Sequence, residues 1–207
     1  IVSLLNALPG AVAQGLIWGI MAIGVYITFR ILDFADLTVD GSLATGGAVA
    51  VMLIQGGMHP ALSLVFAFLA GMAAGMVTGL LHTALGIPGI LASILTQISL
   101  YSVNLGIMGK SNQSIGIAQQ NLVASLRYVT ASNRIVFFIK FILFCLVIVA
   151  LMYWLFGTEL GASIRATGCN PQMARAQGIN TNFMKVIALM ISNGLVGLCG
   201  GIYAQYQ

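Results

Sequence analysis

Apolar residues run along this chain in long blocks separated by short polar stretches, and most blocks have the length of a membrane-crossing helix. The first runs from about Pro9 to Arg30. At ~1.5 Å per residue it covers about 30 Å, one hydrocarbon thickness. The second, Ser42 to Gln55, is short and rich in Gly and Ala, and as a helix it reaches only about 20 Å. It is either a broken span or one that shares its depth with the loop before it. Such interrupted segments belong inside a bundle, where the freed backbone groups find partners. A third block, about Ala61 to Leu81, follows the turn Gly56-Gly57-Met58-His59-Pro60. A fourth runs from the Ile87-Pro88-Gly89 turn to about Met108. The fifth, about Ile135 to Phe156, carries only Lys140 as a charge. The sixth begins near Val186 and is still apolar at Gln207. Between the fourth and fifth, Ser111 to Arg134 is a polar loop with room for a short interfacial helix around Ala118 to Tyr128.

Within the blocks, small and polar residues fall at helical spacing. Gly71, Gly75 and Gly79 form two overlapping G-x-x-x-G units on one face, and Gly15 and Gly19 repeat the spacing. Without side chains another backbone can approach closely, so these are packing signals. Gly194 to Tyr203 faintly echoes Gly15 to Tyr26. Ser93, Gln97, Tyr101 and Asn104 share a face of the fourth block. Either they hydrogen-bond to neighbouring helices or they wet a solute path. His82, at the end of the third block, reads as an interfacial hydrogen-bonder.

Two polar stretches stand out. Arg30 to Ser42 holds Asp33, Asp36 and Asp40, three of the four acidic residues. A charge at the bilayer centre costs about 2.5–3.5 kcal/mol, so this stretch lies at an interface or lines a polar cavity. Arg30 and Asp33 can pair, and Thr38 or Asp40 can cap the helix that follows. The other reading is a role on the transport path for Asp36, Asp40 and Ser42. The spacing fits no calcium loop.

Gly157 to Lys185 is the second stretch, and its residues predict two short helices with a tight turn between them. Thr158 can cap the first and Gly168 can end it. Asn170 can cap the second, with Pro171 at the first helical position and Gly178 just past its end. That order matches the physical asymmetry of helix termini. A helix of about two turns is too short to be stable alone, so something must hold it: the flanking helices can do part of that, and a docked partner could do the rest.

Composition agrees with this pattern. Of 207 residues, 59% are hydrophobic and 6% charged, against roughly 25% charged in soluble domains. The chain is an integral membrane protein. The net charge of +4 rests on few residues and implies no nucleic-acid partner. Cys145, Cys169 and Cys199 offer neither a disulfide framework nor a metal spacing. The basic residues do not settle orientation, because Lys110, Arg127 and Arg134 balance Arg165, Arg175 and Lys185. The first residue is Ile1 rather than Met and the chain ends within an apolar run, so we expect it to be incomplete at both ends.

The residues supply no catalytic set and no cofactor motif. Gly109-Lys110-Ser111 resembles the end of a phosphate-binding loop, but Asn104 stands where the first glycine is required and no strand precedes it. We therefore expect no enzyme, no cofactor and no metal. What remains is a carrier or permease. One reading is an ion-coupled secondary transporter working through the three Asp residues. The other draws ATP energy from a separate subunit.

A resemblance favours the second. Arg165, Ala166, Gly168, Asn170, Ala174, Gly178, Ile179 and Asn180 fit the pattern R-A-x-G-x-N-x-x-x-A-x-x-x-G-I-N. That stretch resembles the cytoplasmic loop of bacterial ABC importer permeases of the branched-chain amino acid and ribose type. Gly19 to Ser42 is similar to the same family's early segment, closest in detail to a subgroup serving aromatic or other amino acids. The resemblance implies an all-α, polytopic transmembrane bundle of the type II importer kind. Residues 1–207 would form one permease domain in the bacterial plasma (inner) membrane, with 157–185 as its cytoplasmic coupling loop. It implies that the short helix docks in a groove of an ABC ATPase, through Arg165, Asn170, Pro171, Met173, Ala174, Arg175 and Gly178. Arg165 and Arg175 would pair with acidic groups there or stay solvated. The implied partners are ATPase subunits, a second permease copy, an extracytoplasmic solute-binding protein and membrane lipid. The translocation path would involve Asp36, Asp40, Ser42, Gln97, Tyr101 and Asn104.

Overall fold

The computed structural model describes residues 2–110 and 134–206. Among these are eight α-helices and no strand: α1 (Val2–Tyr26), α2 (Val39–Gln55), α3 (Pro60–Thr83), α4 (Gly89–Met108), α5 (Arg134–Gly157), α6 (Glu159–Cys169), α7 (Pro171–Ala176) and α8 (Thr181–Tyr206). A π-helical turn, Ile27–Ile31, extends α1. The helix suggested around Ala118 to Tyr128 lies outside the described residues. Four helices are long and apolar enough to cross a membrane, and α2, at 17 residues, is a shorter apolar helix. The short second block is thus a helix of 17 residues, preceded by an extended stretch. α5 and α6 meet at 75°.

The axis of the fold is α8, with α1, α2 and α3 packed around it. Small residues permit this closeness. A Cβ on Gly71 would meet the Asn193 carbonyl, and one on Gly75 the Leu189 carbonyl. Gly46 and Gly200 make similar approaches between α2 and α8, against Gly197 and Leu43. Dispersion at short range, rather than the hydrophobic effect, holds such helices together within lipid. Gly75→Ala is therefore expected to overpack the α3–α8 seam by about 1–3 kcal/mol. The check is thermal unfolding of the purified protein in detergent, where each kcal/mol lowers Tm by about 2–4 °C.

Ile17 and Ile20 of α1, Leu195, Cys199 and Ile202 of α8, and Ile148 of α5 form the main apolar core. A second cluster joins Leu32 and Phe34 to Ile164 of α6 and to Ala188 and Leu189 of α8. This cluster seats the hinge on the bundle. Elsewhere large apolar side chains face outward, among them Leu69, Leu146 and Trp154, as lipid requires.

Several local expectations need correction. Thr158 stands at the N-cap position of α6 but makes no cap bond. Its hydroxyl donates to the Leu155 carbonyl at 2.6 Å, satisfying a free acceptor at the end of α5. Gly168 does not end α6, which runs on to Cys169. Its missing side chain admits the Ile31 carbonyl instead. Arg30 and Asp33 do not pair; both are exposed, and Asp33 turns the chain with φ 54°. Thr38 precedes α2 without capping it through its side chain. Its hydroxyl is 2.8 Å from that of Thr78 instead.

Candidate functional site

Three arrangements matter: the hinge, a buried polar knot and an open cleft. In the hinge, the Asn170 side-chain oxygen accepts from the amides of Gln172 and Met173, both at 3.1 Å. Pro171 occupies the first turn, where its missing N–H is no loss. Beyond the last turn Gly178 adopts φ 83°. The Gly178 amide donates to the Arg175 carbonyl and the Ile179 amide to that of Ala174, each at 3.0 Å. This pair of bonds is a Schellman closure. So a helix of six residues is capped at both ends, as the order Asn, Pro, Gly predicted.

The faces of α7 differ. Ala174 is 2% exposed and faces the protein, while Met173 is 59% exposed and faces away. Of the residues expected to dock, Ala174 therefore seats the helix and Met173 presents its surface. Arg175 donates from Nε to the Thr181 hydroxyl at 2.8 Å, tying α7 to the start of α8. Arg165, also exposed, lies on α6. Nearby, His82, near the end of α3, is held by the turn that follows it and by α8. Its Nδ1 is 2.9 Å from the Ile87 carbonyl and its Nε2 is 3.3 Å from the Lys185 ammonium. The carbonyl can only accept, so Nδ1 carries the proton and Nε2 accepts from Lys185. The hydrogen-bonding role expected of His82 is thus observed. Asn170→Ala is expected to weaken α7 by about 1 kcal/mol, seen as faster amide exchange at Gln172 and Met173.

The buried knot joins the start of α2 to α8. Asp36 is 2% exposed. One of its carboxyl oxygens accepts from the Thr38 amide at 2.9 Å and the other from Asn193 Nδ2 at 2.7 Å. Ser42 donates to Asn193 Oδ1 at 2.5 Å, and Asn193 Nδ2 also reaches the Leu189 carbonyl at 3.1 Å. Asp36 and Ser42, expected on the path, are thus turned inward and used to hold α2. Asn193 is the residue that sequence reasoning missed. The signal was present: an amide in the middle of an apolar block is expensive there unless bonded.

The cleft lies between α2 and α4. Asp40, Gln97, Tyr101 and Asn104 line it with Gly41, Ala44 and Ile98, around a volume of about 370 Å³. Gly41 lets α4 come close, since its Cβ would lie 3.2 Å from the Gln97 Cα. The structure brings these four path candidates together, whereas Ser93 is buried and donates to its own helix at Ile90. Gln97 stands eight residues into α4, about 12 Å along it. Asp40 lies exposed beside it, and a carboxylate facing lipid would cost several kcal/mol.

No solved structure matches this chain. Among curated proteins, it is 37% identical to the tyrosine transport system permease protein of Clostridioides difficile, over 98% of this chain and 65% of that protein. It is 28% identical to the probable branched-chain amino acid transport permease protein LivH of Methanocaldococcus jannaschii, over 97% and 66%. The autoinducer 2 import system permease protein LsrC of Yersinia enterocolitica is 36% identical over 80% of this chain and 44% of its own length. The chain thus spans about two thirds of the length of the first two. The family model described as branched-chain amino acid transport system, permease component, matches residues 8–207. With its apolar spans, the molecule is a multi-pass protein of the plasma (inner) membrane, and it belongs to the branched-chain amino acid transport system permease family.

Proposed function

We propose that this chain is the permease part of an ABC importer, carrying an amino acid, with α7 as the helix that docks on the ATPase. The observation that supports this best is α7 itself. Both its ends are closed, its inner face is seated, and Met173 is 59% exposed on its outer side. A helix this short gains nothing from such mounting unless something rests on it. Arg165 and Arg175 supply positive charge for acidic groups on that partner. The solute is a free amino acid, by analogy with the tyrosine permease. It moves past Asp40, Gln97, Tyr101 and Asn104. The assembly pairs this protein with a second copy in lipid, two ATPases and an extracytoplasmic binding protein, and the chain itself performs no enzymatic chemistry.

An ion-coupled carrier is the weaker reading. Asp36 is held by Asn193 and Asp33 turns the chain at the hinge end, so the three carboxyl groups form no continuous line. Purification from native membranes separates the two. Co-purification of an ATP-hydrolysing subunit is expected; ion-driven uptake by this protein alone, without ATP, would overturn the proposal.

A further inference from the structure

We infer that the cleft between α2 and α4 is a binding site for the primary ammonium of a free amino acid, with Asp40 as the anion that receives it. The inference rests on the permease reading and assigns chemistry to one wall of its path.

The first observation is what the four polar side chains leave undone. Asp40, Gln97, Tyr101 and Asn104 all line one cleft, and none of them hydrogen-bonds to another described residue. Most polar side chains elsewhere in the bundle are bonded, although the buried Gln205 Oε1 also lacks a partner among the described residues. Thr45, Thr78, Thr96 and Thr167 each return a hydroxyl to a carbonyl one turn back, while Asp36, Ser42 and Asn193 satisfy one another. Asp40 and Tyr101 are exposed and Gln97 is half-buried, so Asn104 is the member of the set to which the rule that buried polar groups find partners applies. It is 8% exposed, and its buried Oδ1 has no hydrogen-bond partner among the described residues. The described residues thus leave that acceptor open.

The second observation is the sign of the wall. Among the described residues, Asp40 is the one charged residue lining the cleft, and no Lys or Arg accompanies it. A neutral polyol would leave that carboxylate uncompensated between apolar helices. A divalent metal would want more anionic oxygen than one carboxylate supplies, and no cluster of three His, Cys, Asp or Glu occurs among the described residues. A monocation that donates hydrogen bonds fits both features. Asp40 takes the charge, and the amide oxygens of Asn104 and Gln97 take the remaining N–H groups. Their NH₂ groups then face the solute's carboxylate. The Tyr101 ring, 67% exposed, offers an apolar surface to the side chain. About 370 Å³ is at the small-molecule end of ligand sites and holds one free amino acid.

The test uses the full-length permease–ATPase complex in nanodiscs, without binding protein. Ala44, exposed in the cleft, becomes the probe as Ala44→Cys, with Cys169→Ser to remove the exposed native thiol. The rate of modification by a water-soluble maleimide is measured with L-tyrosine or L-leucine present, and with the des-amino analogue of each. We expect at least one amino acid to slow modification several-fold, the analogues to have no effect, and Asp40→Asn to abolish protection while the ATPase stays bound. Equal protection by amino acid and analogue, no protection by either amino acid, or protection that survives Asp40→Asn would overturn the inference. Comparison of analogues does not depend on how well Asp40→Asn folds. Failure of the complex to form at all would count against the permease reading, a separate outcome.

Discussion

Replacing Asn193 with leucine is expected to cost the protein about 3 kcal/mol, the scale of a lost hydrogen bond to a charged or buried group plus its stranded partner. One substitution removes three bonds at once: to Asp36, to Ser42 and to the Leu189 carbonyl. Leucine is close to asparagine in size, so the loss is polar rather than steric. Asp36 and Ser42 are then left with unsatisfied oxygens at 2% and 0% exposure, in a region where no water replaces the partner. In a chain of this size Tm should fall by about 6–12 °C. The double variant Asp36→Leu with Asn193→Leu should recover part of that loss, because an apolar pair leaves fewer orphans. If Asn193→Leu melts with the parent protein, the knot does not hold α2.

Met173→Glu is expected to abolish uptake while leaving the protein folded and in the membrane. Met173 is an exposed apolar side chain on a rigidly capped helix, the kind of residue whose loss at an interface centre costs at least about 2 kcal/mol, or roughly thirtyfold in affinity. A carboxylate there also repels the acidic groups proposed to meet Arg165 and Arg175. The readout is ATP-driven uptake in proteoliposomes beside co-purification of the ATPase, and both should fall together. Ala174→Glu is a useful contrast. Ala174 is buried against the protein, so a charge there should unseat α7 and reduce recovery of folded protein. Normal uptake by Met173→Glu would remove α7 from the docking role.

Part of this architecture is legible in the residues alone. Helix ends are written locally, so Asn170, Pro171 and Gly178 mark α7 correctly within one stretch of chain. The G-x-x-x-G spacing at Gly71, Gly75 and Gly79 likewise announces a close neighbour, though not that α8 is the neighbour. Partner choice is harder to read. The Thr38 hydroxyl could cap its own helix or reach another, and only the placement of α3 decides for Thr78. Gly168 reads as a helix end because glycine often is one; contact with the Ile31 carbonyl gives it a different use. Asp36, Asp40 and Ser42 look alike in sequence, as polar groups beside a short span. Asp36 lies in the stretch before α2 and Ser42 on α2, both toward Asn193, while Asp40, two residues before Ser42 and so on the other side of the helix, faces α4.

The most direct measurement is site-specific cross-linking from α7. Met173→Cys, with Cys169→Ser, is expressed in the full-length importer, and a short bifunctional thiol reagent is applied to inside-out membrane vesicles. The account predicts a single strong adduct with the ATPase subunit and ready labelling from the cytoplasmic side. Labelling of residue 173 only from the opposite side, or labelling from the cytoplasmic side with no adduct to the ATPase, would contradict it.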